Sequence, residues 1–300
     1  MLNRTPPRDV IRELRREVGF RCPVPGCGDP FLEWHHFDPP WSEKQHHDPR
    51  GMIALCSKHH KAGDRGIFSG AQLRTFKATT PQSLTVEEPF PWCLGDFVVR
   101  FGSNYSIGCS SVIAVGGEKL LRVEQADNGI LQLSFLVRTT TGEVAIEMDR
   151  NTLIADTDQL EDLQLNVGQD RISAWLAKRD YGVDLSFKRM SRESFAKLVH
   201  RDLNSDHFGS KREEIYRSMI DAGVPIDVED LHSGEGESER FLIEAAVRRC
   251  TDSEGRICVL DFQRLSLRNN DRHVVITPTR IKGIGIRGCV TLDCGGAFSL

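Results

Sequence analysis

The 300-residue chain has no run of 18 consecutive apolar residues, which excludes a conventional membrane-spanning helix. Its first 20 residues, MLNRTPPRDVIRELRREVGF, lack the apolar core of a signal peptide. We therefore expect a cytoplasmic protein with no membrane partner. Its nine cysteines are an odd number in a reducing compartment, so we expect metal binding or burial in the core rather than a full disulfide framework.

The chain also lacks a strong excess of one charge, since its formal net charge is −4. The charges are unevenly distributed along it. Residues 1–80 contain 13 Lys and Arg against 9 Asp and Glu, a net of +4, and the remaining 220 residues carry a net of −8. The basic N-terminal part suits a polyanionic partner, whereas the acidic remainder gives no reason to expect nucleic acid binding of its own.

Residues 1–80 predict a small domain with two strands and several helices. An amphipathic helix follows Pro6-Pro7 and ends at Gly19. The stretches FLEWHHF and GMIALC are typical of short strands, and SKHHKAGDRG is typical of a helical turn or two that glycine ends. A small closing helix around Leu73 and Phe76 completes a compact ββα unit.

The rest of the chain predicts a linker and a larger β-rich domain. Residues 81–95 hold three prolines and little periodicity, as in a linker. Residues 96–300 show many short apolar or alternating runs separated by turns, which favours a β-sandwich or curled sheet. Helices are expected over 192–223 and 238–249, and this domain is either single or subdivided near residue 190.

Two pairs of metal-binding residue types lie in the N-terminal domain. Cys22-x4-Cys27 and Cys56-x-x-His59 are separated by 28 residues. Two such pairs on short loops are what a tetrahedral structural zinc site requires, and zinc contributes on the order of 10 kcal/mol to the folding of comparable peptides. The alternative is burial without metal, but the prolines and glycine inside the first pair have no good role in a core. We predict a structural Zn²⁺ site.

Histidine is concentrated in the same domain. Six of the ten histidines lie within residues 34–60, WHHFDPPWSEKQHHDPRGMIALCSKHH, as three adjacent pairs. If Cys56 and His59 bind zinc, His60 points elsewhere on the same helical turn, toward the strand that carries His35 and His36. At the end of that strand both histidines can approach one centre, one as a metal ligand and the other as a base, because neutral imidazole serves both roles near pH 7.

This order of motifs resembles that of the HNH, or ββα-metal, endonucleases over about residues 8–78. The resemblance implies an α+β fold in which a small zinc-stabilised HNH domain precedes the β-rich domain. It implies that His36 is the general base that activates water, and that His35 and His60 hold one catalytic divalent cation, Mg²⁺ or Mn²⁺. Cys22, Cys27, Cys56 and His59 would hold the structural zinc.

One position departs from the family pattern. Gly51 stands where the family has its middle Asn, and glycine has no side-chain amide with which to orient an imidazole. His46, His47 or Asp48 can take over that role, because a carbonyl or carboxylate partner also selects the tautomer. We count His47 among the catalytic candidates. The departure also permits a degenerate site that binds without cutting.

The function that the resemblance implies is metal-dependent endonucleolytic cleavage of DNA, with RNA as the other candidate substrate. The C-terminal domain would control or target this activity, by analogy with bacterial defence effectors. It would do so by docking onto a protein partner such as a short Argonaute, by forming a homo-oligomer or by sensing a small ligand. The alternatives are a catalytically degenerate zinc-stabilised nucleic-acid-binding or adaptor protein, and a metallohydrolase that acts on small molecules.

Further candidates carry weaker patterns. Four basic residues surround the histidine motif and either contact flanking phosphates or are solvated surface charges: Arg50, Lys58, Lys61 and Arg65. Cys289-x4-Cys294 repeats the first cysteine spacing without a neighbouring histidine, so core or turn positions are expected. His200 and His207 are interpreted as capping or surface residues.

Overall fold

The computed structural model describes residues 2–78, 85–90, 97–101, 104–107, 111–115, 118–126, 130–177, 180–203, 237–269, 272–277, 280–282, 290–292 and 296–299. These residues form a mixed α+β fold in which strands dominate, as predicted. The helices are α1 (Arg8–Glu17), α2 (Ser57–Asp64), α3 (Gly70–Ala78), α4 (Arg192–Leu203) and α5 (Glu237–Arg249). In the described part of the chain, no helix has both the length and the apolar character needed to cross a membrane.

Eighteen strands lie in the described residues. The first nine are β1 (Leu32–His36), β2 (Met52–Cys56), β3 (Thr85–Pro89), β4 (Val98–Phe101), β5 (Asn104–Ile107), β6 (Ser111–Val115), β7 (Glu118–Gln125), β8 (Leu131–Arg138) and β9 (Val144–Asp149). The others are β10 (Thr152–Asp156), β11 (Asp162–Leu165), β12 (Arg171–Ala177), β13 (Asp180–Met190), β14 (Ile257–Asn269), β15 (Arg272–Thr277), β16 (Arg280–Lys282), β17 (Val290–Leu292) and β18 (Gly296–Ser299).

The chain forms two compact units, each built from two segments. The first contains Met1–Glu88 and Leu153–Asp180, and the second contains Pro89–Thr152 and Tyr181–Leu300. The division therefore differs from the predicted domains 1–80 and 96–300, because a later segment completes the first unit. Part of the predicted linker, Thr85–Pro89, forms strand β3, whose Val86 is buried.

The centre of the first unit is the predicted ββα arrangement. Strands β1 and β2 pair antiparallel, with Leu32 opposite Cys56 and His36 opposite Met52. Helix α1 buries Leu14 against this hairpin, and Val18, the residue directly after the helix, is buried in the same core. Every residue of β2 is buried, since it forms the middle of this small core. Helix α2 starts directly after β2.

A buried ion pair joins helix α1 to strand β11 within the first unit. The guanidinium group of Arg15 donates from Nε to Asp162 Oδ1 at 2.9 Å and from Nη2 to Asp162 Oδ2. Both residues are buried, and the same guanidinium lies 5.7 Å from the ring centroid of Trp34 in β1. An isolated buried charge is costly, so each residue of the pair requires the other once both are buried. No local pattern of the sequence predicts it.

The second unit has two groups of strands. Strands β6, β7, β8 and β9 follow one another in an antiparallel meander, and β18 pairs parallel with β6. Strands β13, β14, β4, β5 and β17 form the other group, in which β14–β4 and β5–β17 are parallel. Helices α4 and α5 bury Phe195, Val199 and Leu242 in a core with Val98 and Val259 of the second group. The predicted helix over 192–223 is confirmed to Leu203, and 204–223 lies outside the described residues.

Buried charges link α4 to the sheet in this unit. The Arg100 guanidinium donates to Asp202 Oδ2 at 2.7 Å and to Asp261 Oδ1 at 2.8 Å. Tyr105 donates its hydroxyl proton to Asp202, and Lys188 pairs with Asp261. Because every member meets an opposite charge or a hydrogen-bond partner, the network is a structural element that ties β4, β5, β13, β14 and α4 together.

Candidate metal and catalytic site

The four predicted zinc ligands come together in the first unit. Their ligand atoms all lie within 4.8 Å of one another, and the group consists of Cys22, Cys27, Cys56 and His59. The His59 Nδ1 atom is 3.3 Å from both the Cys22 and the Cys56 sulfur atoms, and the Cys27 and Cys56 sulfurs are 3.7 Å apart.

These spacings fit a tetrahedral zinc ion. With Zn–S bonds of about 2.3 Å and Zn–N bonds of about 2.0–2.1 Å, tetrahedral ligands lie about 3.8 Å apart for two sulfurs and about 3.5 Å for sulfur and nitrogen. Burial raises the pKa of the Cys22 thiol and of the Cys56 thiol, so a cation is needed to hold both as thiolates near neutral pH. The cluster can therefore hold a structural zinc.

A second cluster lies where α2 crosses β1. The ligand atoms of His35, His60 and Asp64 lie within 4.8 Å of one another. The His35 Nδ1 atom is 3.3 Å from Asp64 Oδ1, and the His60 Nδ1 atom is 3.5 Å from Asp64 Oδ2. His60 and Asp64 are four residues apart on α2, so they share a face of the helix. Two imidazoles and a carboxylate converge on one point.

The surroundings of His60 indicate which of its nitrogens faces that point. Its Nε2 atom is 3.3 Å from the backbone carbonyl oxygen of Trp34 and donates a hydrogen bond to it. Its Nδ1 atom is 3.3 Å from Glu33 Oε2 in addition to the Asp64 contact. A carbonyl partner on one nitrogen fixes the tautomer and leaves the other nitrogen for a cation. Glu33 also accepts a hydrogen bond from the Ser57 hydroxyl at the start of α2, which holds the helix against β1.

The close approach of α2 to β1 requires glycine at one position. A Cβ atom on Gly63 would lie 2.8 Å from the Nε2 atom of His35. The absence of a side chain there allows the His35 ring to lie against the helix backbone. Burial, with a smaller contribution from His60, lowers the pKa of His35, so this ring is neutral and suited to metal binding.

His36 lies on the opposite face of β1 from His35, because side chains alternate along a strand. Its ring centroid is 4.7 Å from that of Trp41, 5.2 Å from that of His46 and 5.9 Å from that of His47. Sequence reasoning placed His35 and His36 at one centre. The structure instead places His35 with His60 and Asp64, and His36 with His46 and His47.

The ring of His36 is buried without a hydrogen-bond partner among the described residues. Neither Nδ1 nor Nε2 of His36 makes a hydrogen bond there, and the same holds for Nδ1 of His47. Burial lowers the pKa of His36 to about 4, and the nearby His46 and His47 rings and Arg4 act in the same direction. Arg4 also lowers the pKa of His35. The charge of Arg4 therefore acts on both faces at the end of β1.

The structure explains the glycine at position 51. A Cβ atom on Gly51 would lie 1.9 Å from the carbonyl oxygen of Asp38 and 2.9 Å from the His46 ring. The Gly51 carbonyl oxygen accepts hydrogen bonds from the backbone N–H groups of Phe37 and Asp38. No side chain fits here, so any group that orients the His36 ring comes from another residue.

Two of the three candidates for that role are engaged elsewhere. The His46 Nε2 atom is 2.9 Å from the Pro39 carbonyl oxygen, and its Nδ1 atom accepts from the Asp48 N–H group at 3.1 Å. The carboxylate of Asp48 pairs with Arg50 at 2.7 Å. His47 stacks on Trp41, with centroids 5.4 Å apart, and its Nδ1 atom is buried beside His36.

The remaining candidates from the sequence are not members of either cluster in the described residues. Arg50 is bound to Asp48, and the side chains of Lys58, Lys61 and Arg65 are exposed on or after α2. In the second unit His200 is exposed on α4, and the predicted positions His207, Cys289 and Cys294 lie outside the described residues.

Sequence reasoning missed three contributors to the site. Asp64 carries a signal that was available, because it stands four residues after His60 on the same helix. Glu33 and Trp41 carry no such signal, since their roles depend on how the helix and the 38–48 loop fold over β1. Comparison of the chain with models of known families, with curated proteins and with solved structures finds no match.

Proposed function

We propose that the first unit is a metal-dependent endonuclease of the HNH type that hydrolyses phosphodiester bonds in DNA. The observation that carries the proposal is the pairing of two features at the end of β1. On one face, the side-chain ligand atoms of His35, His60 and Asp64 lie within 4.8 Å of one another. On the other, His36 has two buried ring nitrogens without a hydrogen-bond partner in the described chain.

The proposed cation ligands are His35, His60 and Asp64, and the proposed ion is Mg²⁺ or Mn²⁺. When bound, a divalent cation supplies positive charge that stabilises a phosphate oxygen and the leaving 3′ oxygen. Imidazole suits transition metals, whereas carboxylate also suits Mg²⁺ and Mn²⁺. A site with two imidazoles should therefore bind Mn²⁺ more tightly than Mg²⁺. Asp64 is an addition to the predicted ligands.

His36 would act as the general base. Its lowered pKa keeps it neutral at pH 7, so one ring nitrogen is free to accept a proton from water. A phosphate anion nearby favours the protonated form and so strengthens the base as the substrate binds. General bases of this kind contribute roughly 10²–10⁴-fold to rate. Arg4, whose charge acts on both His35 and His36, would attract the phosphate to the end of the strand.

The second unit would control or target the nuclease. In its described residues no group of three His, Cys, Asp or Glu side chains has metal-binding geometry. A partner such as a short Argonaute, or a second copy of the chain, would bind to this unit. The resulting complex would act as a bacterial defence effector. The support for this role is the division into two units and the acidic charge of the C-terminal part.

A second candidate function is nucleic acid binding or an adaptor role without catalysis. The observation that favours it is the low exposure of His36, which is 5%. A base covered by the 38–48 loop reaches substrate only if that loop moves. The structural zinc is common to both proposals, so zinc content does not distinguish them.

Plasmid cleavage by the full-length wild type and by His36→Ala separates the two functions. The reactions contain Mg²⁺, Mn²⁺ or EDTA, and parallel reactions contain single-stranded DNA or RNA. We expect cutting that requires Mn²⁺ or Mg²⁺ and falls at least 100-fold in His36→Ala, with DNA binding retained. Glu43→Gln, an exposed change in the same loop, is the matched control and should cut normally. Equal cutting by wild type and His36→Ala would remove His36 as the base, and binding without cutting by the wild type would favour the adaptor.

A further inference from the structure

The loop that follows β1 places His47 next to the proposed base. Trp41 stacks on the His47 ring with an interplanar angle of 27°, and both rings lie against His36. The stack is anchored because His46, the preceding residue, is hydrogen-bonded on both ring nitrogens. His47 therefore has a defined place beside His36 rather than a free surface position.

Three buried nitrogen atoms in this cluster have no hydrogen-bond partner among the described residues. They are Nδ1 and Nε2 of His36 and Nδ1 of His47. Buried polar atoms in proteins are normally hydrogen-bonded to protein or to ordered water. The ring centroids of His36 and His47 are 5.9 Å apart, a separation that suits one bridging water molecule better than a direct hydrogen bond.

We propose that His47 positions the water molecule that His36 activates. In this arrangement the water donates one hydrogen bond to an unprotonated nitrogen of His36 and a second hydrogen bond to Nδ1 of His47. His47 then carries its own proton on Nε2. The inference rests on the proposed nuclease function and assigns to His47 a role in the same reaction.

The other nitrogen of His36 has a separate neighbour. The backbone carbonyl group of His46 lies close enough to favour the charged form of His36, although it does not meet the geometry of a hydrogen bond. A small shift of this loop would let the carbonyl oxygen accept the N–H group of His36. That contact would select the tautomer, and His47 would orient the water. Together they would do the work that Gly51 cannot do with a side chain.

Two substitutions at position 47 test the proposal. In His47→Asn the amide oxygen lies close to the position of Nδ1 and still accepts a hydrogen bond from the water. His47→Leu retains bulk against Trp41 but removes the hydrogen-bond acceptor. In the full-length, zinc-containing protein we expect His47→Leu to lower kcat about 100-fold, because misplacement of a reacting group has that order of effect. KM and Mn²⁺ affinity should be unchanged, and His47→Asn should stay within about tenfold of wild type. Glu43→Gln is again the control.

A crystal structure of wild type and of each variant gives a readout that does not depend on cutting. We expect an ordered water within hydrogen-bond distance of both His36 and His47 in wild type and in His47→Asn, and its loss in His47→Leu. The proposal is overturned if His47→Leu cuts like wild type, if both variants lose activity equally, or if wild type holds no shared water. If wild type does not cut any substrate, the nuclease function fails and the crystal structures alone decide whether the two histidines hold a water.

Discussion

A Cβ atom at position 51 would lie 1.9 Å from the carbonyl oxygen of Asp38, a distance that no carbon and oxygen atom can share without bonding. Gly51 is therefore required by the turn that follows β1. In the loop that begins at Asp38, the rings of Trp41, His46 and His47 lie against His36. The glycine that departs from the family pattern in the sequence is thus a requirement of this particular loop.

Replacing Gly51 by Ala should destabilise the protein by about 2–4 kcal/mol, because the backbone of Asp38 has to move away from the new Cβ atom. Gly51→Asn should be at least as damaging and should not increase cutting. Urea unfolding measures the change. Gly70→Ala is the matched control, since its nearest contact would be 3.5 Å from a flexible arginine side chain and the stability should change little. Normal stability of Gly51→Ala would contradict the close packing.

Removal of one proposed zinc ligand should unfold the first unit. Cys22→Ser should lose bound zinc, measured by elemental analysis, and should lower Tm, because zinc binding contributes to folding directly. Cys250→Ala, which changes a buried cysteine outside the cluster, should keep its zinc. If the wild-type protein contains no zinc and Cys22→Ser folds normally, the four residues are buried without binding a metal.

Asp64→Asn should weaken Mn²⁺ binding roughly 10–100-fold while leaving the zinc content unchanged, because it removes the carboxylate that lies close to both His35 and His60. Titration followed by electron paramagnetic resonance measures free Mn²⁺ directly and needs no substrate. Asp9→Asn, an exposed change on α1, serves as the control. Unchanged Mn²⁺ affinity in Asp64→Asn would exclude Asp64 as a ligand.

The ion pair between Arg15 and Asp162 predicts that residues 1–80 do not form a stable domain alone. Asp162→Asn should cost about 3–5 kcal/mol, since it leaves the buried guanidinium of Arg15 uncompensated. Glu161→Gln, which affects the exposed pair with Arg16 at 3.3 Å, should cost less than about 1 kcal/mol. Differential scanning calorimetry compares the two variants. Equal stability of both would show that the buried pair does not hold the later segment.

The buried charges of the second unit predict a loss of stability in acid. Burial by itself raises the pKa of Asp261, but Arg100 and Lys188 outweigh it and hold the pKa below its ordinary value of 3.8. The unfolded state therefore takes up the proton first as the pH falls. The contribution of Asp261 is complete above about pH 4 and disappears as the pH falls through the folded-state pKa.

The urea midpoint measured between pH 7 and pH 3 tests this dependence. Wild type should lose more stability over that range than Asp261→Asn, because the variant has no carboxyl group at position 261 to titrate. Glu254→Gln changes an exposed acid in the same unit and should follow the wild-type curve. Parallel curves for wild type and Asp261→Asn would assign the acid sensitivity to other groups.

Local spacing in the sequence was enough to predict most strands and the cluster of Cys22, Cys27, Cys56 and His59, which can hold a zinc ion. Cys22 and Cys27 lie on one short loop, and Cys56 and His59 lie at one strand-to-helix junction, so each pair is preorganised by its own few residues. The alternation that buries one side of β8 is likewise a property of consecutive residues. Such features depend on the chain within about ten residues, which is the range that sequence periodicity reports.

Tertiary structure alone decided the remaining features. The sequence placed His35 and His36 next to each other near a strand end, but only the folded hairpin shows that the strand continues through His36. Alternation then puts the two side chains on opposite faces, and helix α2 covers the face that carries His35. Asp162 meets Arg15 across 147 positions of the chain, and no local pattern encodes that distance. The fit of the 38–48 loop against Gly51 depends on van der Waals contact between backbones, which residue type and spacing do not specify.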